Sequence, residues 1–182
     1  MISKKTARKW IARICFFTII TSMGCILAQE NQPVHKDRQV LITAAKEIMT
    51  SANYCALITI DPTGQANARM MDPFPPEDGL VVWLGTNPKS RKAQEIKDNP
   101  SVTLYYADPT GNGYVTIIGT AVLINDPKEK AKRWQEGWEA FFPDRDESYL
   151  LIKVMPVKME VVNYKHQITG DSKTWSAPSV EF

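Results

Sequence analysis

Arg69 and the run Ser90-Arg91-Lys92 are the side chains whose types and spacing best suit chemistry in this chain. Arg69 ends a short strand-like segment, and Ser90-Arg91-Lys92 fall in the first turn of a helix-like one. Lys and Arg in a first helical turn oppose the helix dipole. A bound anion offsets that placement, and a phosphate suits the set. Arg engages it bidentately, Lys adds a point charge and Ser donates a hydroxyl hydrogen bond. A solvated basic turn is the other reading of the same residues.

Other chemistry is thinly supplied. The two histidines, His35 and His166, accompany no nucleophile motif. There is no metal-spaced Cys/His cluster, no Walker loop and no GxGxxG. Cys55 lies in an apolar run and reads as a core thiol. Asp144, Asp146 and Glu147 lack the glycine and terminal acid of a calcium loop and read as a solvated turn. Glu77-Asp78 reads as a polar loop tip, and Trp134 and Trp138 as core. No catalytic side chain is evident and no metal is expected, so a cofactor would carry any redox chemistry.

The chain has 182 residues, 43% hydrophobic and 23% charged, which suits one globular domain. The net charge of +2 is unevenly placed. Lys4, Lys5, Arg8, Lys9 and Arg13 lie in the first thirteen residues; without these five of the 22 bases, 17 face 20 acids. The remainder is therefore acidic, which argues against a nucleic-acid partner. The basic start, the charge-free run Ile14 to Leu27, and Ala28 before Gln29-Glu30 form a secretory pattern. Residues 1–28 are read as an export signal cleaved after Ala28, and 29–182 as one domain in the periplasm or outside the cell. Lipidation at Cys25 or a retained anchor are the alternatives, and only they would attach the chain to a membrane. After cleavage Cys55 alone remains, so no internal disulfide forms.

The elements that must position the basic residues follow from periodicity. Residues 36–51 repeat apolar side chains at helical spacing: Val40, Leu41, Ala44, Ala45, Ile48 and Met49. Residues 54–71 read as a hairpin turning at Asp61-Pro62-Thr63-Gly64. A Pro-rich loop over 73–79 precedes a short strand, Leu80 to Leu84. A helix opens at Asn87-Pro88 and stops at Asn99-Pro100. Val102 to Tyr106 and Tyr114 to Ile124 are strands, the second apolar throughout and so central. Asp126-Pro127-Lys128-Glu129 starts a helix whose face carries Ala131, Trp134, Trp138 and Phe141. Tyr149 to Tyr164 is a strand pair or one strand bent at Pro156. The tail from Lys165 to Phe182 shows no period. Hairpin spacing predicts a mainly β fold, an antiparallel sheet or small barrel with peripheral helices.

Residues 54–124 resemble the pyridoxamine 5′-phosphate oxidase-like, FMN-binding split barrels, and most closely their shorter, general stress protein-like members. Three ordered blocks carry the resemblance: Arg69-Met70-Met71, Thr86-Asn87 with Ser90-Arg91-Lys92-Ala93, and Asn99-Pro100-Ser101-Val102-Thr103-Leu104. Tyr114 to Ala121 fits the strand that follows. The resemblance implies a six-stranded antiparallel split β-barrel of Greek-key type, forming a homodimer with one FMN in each of two clefts between subunits. Carried over by position, Arg69, Arg91 and Lys92 would hold the FMN phosphate, with Ser90 beside them. Met70 and Met71 would lie against the isoalloxazine ring, partly through backbone groups. Gly85 and Thr86 would contact ring or ribityl, and Tyr114 would reach in from the other strand. The implied function is an exported FMN-dependent oxidoreductase acting on a small-molecule substrate or electron donor. A non-catalytic flavin- or tetrapyrrole-binding stress-related protein is the alternative. Phe74 stands where the namesake has a phosphate-facing Lys, and no arginine follows Arg145 to form its C-terminal Arg-x-His segment. Oxidation of pyridoxamine phosphate itself is therefore not expected.

Overall fold

The computed structural model describes residues 37–182, and among them are seven strands and four α-helices. The export-signal reading, Cys15, Cys25 and His35 lie outside the described residues. The strands are β1 (Cys55–Ile60), β2 (Ala66–Met71), β3 (Val82–Thr86), β4 (Ser101–Ala107), β5 (Gly113–Ile124), β6 (Leu150–Asn163) and β7 (Ser179–Glu181). The helices are α1 (Arg38–Ser51), α2 (Arg91–Asp98), α3 (Pro127–Lys132) and α4 (Arg145–Ser148).

Six strands run antiparallel in the order β2-β1-β4-β5-β6-β3, and β7 adds to β6. Strands β4, β5 and β6 form a meander with β3 returning beside β6, a Greek-key arrangement. The sheet curls into a half-barrel with flanking helices, which is the split-barrel architecture. Register explains the core. Leu57 faces Leu104, Leu104 faces Ile117, and Ile117 faces Met159, so one inward row crosses four strands. All four side chains are fully buried, each worth about 1.5–3 kcal/mol in apolar transfer. Helix α1 covers this face with Leu41, Ala44, Ala45, Ile48 and Met49. Asp37 caps it, its carboxylate accepting from the Gln39 N–H at 2.9 Å.

Several expectations shift by a residue or a face. Val40 is exposed, because the apolar stripe of α1 is narrower than the run of apolar residues. Leu80 belongs to a 3-10 turn, Asp78–Leu80, so strand β3 starts at Val82 rather than at Leu80. Helix α2 starts at Arg91, with Ser90 as its cap; Asn87-Pro88 forms the turn before it. Helix α3 ends at Lys132, beyond which the chain leaves helical spacing and Phe142, not Phe141, packs inward. Phe141 is exposed. The tail holds β7 and the buried Ile168, short pieces that carry no period.

Strand β6 is one bent strand rather than two. Its pairing with β5 shifts register between Ile118 and Gly119, opposite Pro156 and Val157, which marks a β-bulge. A Cβ on Gly119 would sit 2.4 Å from the Met155 carbonyl oxygen, so this approach requires glycine. Gly119→Ala is expected to cost about 2 kcal/mol or more, read as a lower urea midpoint with an unchanged slope.

Candidate functional site

Alternation along β2 turns Asn67, Arg69 and Met71 inward and leaves Ala68 and Met70 outside. Register then sets Asn67 opposite Thr59 and Arg69 opposite Leu57. Helix α2 packs on β1 and brings its first turn to the same place. The Ser90 hydroxyl accepts from the Ala93 N–H at 3.4 Å and lies 3.1 Å from the Thr86 hydroxyl. Thr86 is buried at the end of β3. Arg91 points into solvent, and Lys92 is half-buried.

A carboxylate stands at the centre of these cations. Glu95 is buried, its side chain only 3% exposed. It accepts from Arg69 Nη2 at 2.9 Å, from Asn67 Nδ2 at 3.3 Å and from the Thr59 hydroxyl, and it pairs with Arg91 Nε at 3.3 Å. Arg69 also donates to the Thr59 hydroxyl. Three cations against one carboxylate leave the cluster two positive charges. Lys92 forms no hydrogen bond or ion pair among the described residues. Burial first, and then the neighbouring Arg69, hold its ammonium below the ordinary lysine pKa, while Glu95 acts the other way.

Sequence reasoning missed Glu95, Thr59 and Asn67. The i,i+4 spacing of Arg91 and Glu95 was a visible signal for the pair. That the acid is buried against a hairpin required the tertiary contact between α2 and β1.

The remaining residues carried over by resemblance are more scattered. Met70 is 66% exposed and Met71 packs on the core, so the two side chains lie on opposite faces of β2. A Cβ on Gly85 would meet the Trp138 ring at 2.7 Å, so the outer side of that residue is already covered. Tyr114 lies on the outer face of the sheet, stacked on Tyr105 with ring centroids 5.6 Å apart. Arg69 lies on the inner face, so Tyr114 does not join the cation cluster of its own chain.

Trp134 and Trp138 are core residues as expected, in a second cluster with Phe74, Trp83, Phe142 and Tyr149. Phe74, at the position of the namesake's lysine, packs edge-on to Trp138 at 5.7 Å. Glu77 is more than a loop tip: it accepts from the buried Arg133 at 2.6 Å, and that guanidinium lies 3.6 Å over the Trp83 ring. Asp144 caps α4. Cys55 is buried in β1, and burial pushes its thiol up to about 12, which fits an inert core residue.

A split barrel with a cation cluster at its first α2 turn is the class defined by the fold and these side chains. The family model described as "Pyridoxamine 5'-phosphate oxidase like" matches residues 42–170. The chain belongs to that family. It is 31% identical over 104 residues to general stress protein 26 of Bacillus subtilis (strain 168), covering 55% of this chain and 73% of that one. A Clostridium acetobutylicum structure, described as related to general stress protein 26, superposes with a TM-score of 0.61 at 22% identity, covering 70% of this chain and 91% of that one. A pyridoxamine 5′-phosphate oxidase-related, FMN binding protein from Nostoc punctiforme gives 0.60 at 15% identity, with 80% and 95% covered. These similarities place the chain in the general stress protein 26-like subgroup. Membership fixes the fold and leaves the reaction open.

Proposed function

We propose that the chain is an exported, stress-related FMN-binding protein, with the flavin phosphate held by Arg69, Arg91 and Lys92 beside Ser90. The observation that carries this reading is Lys92, half-buried and with no hydrogen bond or ion pair among the described residues, in a cluster of net charge two. A phosphate monoester carries nearly two negative charges at neutral pH. Thr86 and the backbone of Gly85 border the ribityl side. Met70 and Met71 supply backbone to the ring, and Tyr114 enters from a second copy of the chain. A two-fold homodimer makes the two clefts equivalent. A similar structure described as FMN binding supports the choice of ligand.

Bound FMN would supply hydride or single-electron transfer. The chain's own part is to anchor the phosphate, orient the ring and exclude water. Oxidoreductase turnover is the second reading, favoured by a family described by its likeness to an oxidase. Its substrate would be a small molecule or electron donor other than pyridoxamine phosphate, given Phe74 and the arginine-free tail.

The visible spectrum of the purified full-length chain, with and without added FMN, tests the proposal. Bound flavin near one per chain is expected. No binding at high FMN overturns it, and a Soret band after haem addition instead would assign a tetrapyrrole. Reduction and aerobic reoxidation of the bound flavin with a donor would establish turnover.

The depressed Lys92 pKa adds a pH prediction. The ammonium binds the phosphate only while protonated, so FMN affinity falls as pH rises through a midpoint below 10.5. Lys92→Arg keeps its charge and moves that loss to higher pH. Flavin fluorescence titrations across the alkaline range would show both limbs.

A further inference from the structure

We infer that Glu95 is the specificity-setting counter-charge of the cation cluster: it fixes the cleft at two positive charges, and so tunes it to a phosphate dianion over more highly charged anions. The inference rests on the phosphate part of the function proposed above, and it assigns a role to a residue outside the expected ligand set.

Glu95 touches every element of the cluster. From β1 it receives the Thr59 hydroxyl, from β2 Arg69 and Asn67, and from its own helix Arg91. Lys92 acts on it through space, and Asp61 lies one step away, accepting from Asn67 Nδ2 at 3.3 Å. A buried carboxylate is costly to keep unless its lone pairs are satisfied, and here they are. Its burial also means that it cannot bind a ligand itself. What it changes is the net charge facing one. Without it, Arg69, Arg91 and Lys92 would present three charges, a better match for a trianion such as pyrophosphate. With it, a dianion neutralises the cluster. Arg69, held by Glu95 and Thr59, keeps its guanidinium at a fixed place on the inner face of β2.

The test is a charge series in the full-length chain, read by calorimetry with orthophosphate and pyrophosphate as separate probes. Glu95→Gln raises the net charge to three, and the pyrophosphate-to-orthophosphate affinity ratio is expected to rise about tenfold, the scale of one unit charge in a partly solvated site. Arg91→Gln lowers the charge to one through an exposed side chain, and the ratio is expected to fall by about the same factor. The double variant restores two charges and the parent ratio. A merely structural Glu95 would weaken both anions together and leave the ratio unmoved, and the double variant would then match Arg91→Gln. Either result overturns the inference. Should Glu95→Gln not fold alone, the double variant, which removes an opposed pair, carries the same comparison against Arg91→Gln. Neither anion binding the parent chain would overturn it as well. Anion binding with the predicted ratios but no FMN binding would overturn the flavin reading and support the Glu95 role. FMN binding with an unmoved ratio would do the reverse.

Discussion

The Arg69→Ala, Lys92→Ala chain is expected to hold no FMN through gel filtration. A hydrogen bond to a charged group contributes about 1.5–3 kcal/mol, so losing one from each cation weakens binding by about 3–6 kcal/mol, at least a hundredfold. The two losses also differ in kind. Lys92 forms no hydrogen bond or ion pair among the described residues, so its truncation breaks none there. Arg69 is the nearest cation to the buried Glu95, and removing it leaves only the exposed Arg91 against that carboxylate, which costs up to the ~3–5 kcal/mol of a broken buried pair. The Lys92→Ala single variant is therefore the cleaner probe and should keep the parent melting temperature. Arg69→Lys keeps the charge but loses the fork that reaches Thr59 and Glu95 together. It should bind FMN with intermediate affinity. Riboflavin, which lacks the phosphate, separates the terms: its affinity should change little in Lys92→Ala. FMN affinity unchanged in the double variant, with a native far-ultraviolet spectrum, would exclude these side chains as the phosphate site.

What the sequence showed and what it hid divide along a physical line. Strand β5 was legible from the length of its apolar run, and the 54–71 hairpin from its turn chemistry between two strand-like segments. The cap of α3 was legible because Asp126, Pro127 and Glu129 act within one turn. Helix α2 was displaced because two capping signals, Asn87-Pro88 and Ser90, lie three residues apart and either could start it. Ser90 wins, with its hydroxyl facing both the Ala93 N–H and Thr86. Strand β7 was hidden because three residues are too short to show a period, and its partner lies about twenty residues back in the chain. Within the site, the cations were visible by type and Glu95 was not. Its burial depends on where α2 lands on the hairpin, which no local pattern encodes.

The outer face of the sheet leads to the second prediction of large effect. Met70, Tyr105, Ile118, Val122 and Met155 are each more than a third exposed there. The outward row of β5 carries Ile118 and Val122 between Thr116 and Thr120, and of its apolar residues neither Ile118 nor Val122 joins a core cluster, whereas Ile124 packs on the second one. A central strand that keeps Ile118 and Val122 in water is hard to account for in a lone subunit. A second copy covering this face removes the difficulty, and it also gives Tyr114 a role. Tyr114 shares this outer face and lies on the other side of the sheet from Arg69, so in the proposed shared cleft it would border the flavin held by the second copy. Ile118→Glu combined with Val122→Glu places two acids on that face without touching the core or the cation cluster. The expected result is a monomer by light scattering that has lost at least ten-fold in FMN affinity, while its melting cooperativity persists. The same variant should still bind orthophosphate, because Arg69, Arg91 and Lys92 belong to one chain. A monomer that binds FMN as tightly as the parent would place the whole flavin site within a single subunit and leave Tyr114 outside it. A variant that stays dimeric would move the interface to another surface. The pairing of lost flavin with retained phosphate is the outcome that a shared cleft requires and a self-contained one forbids.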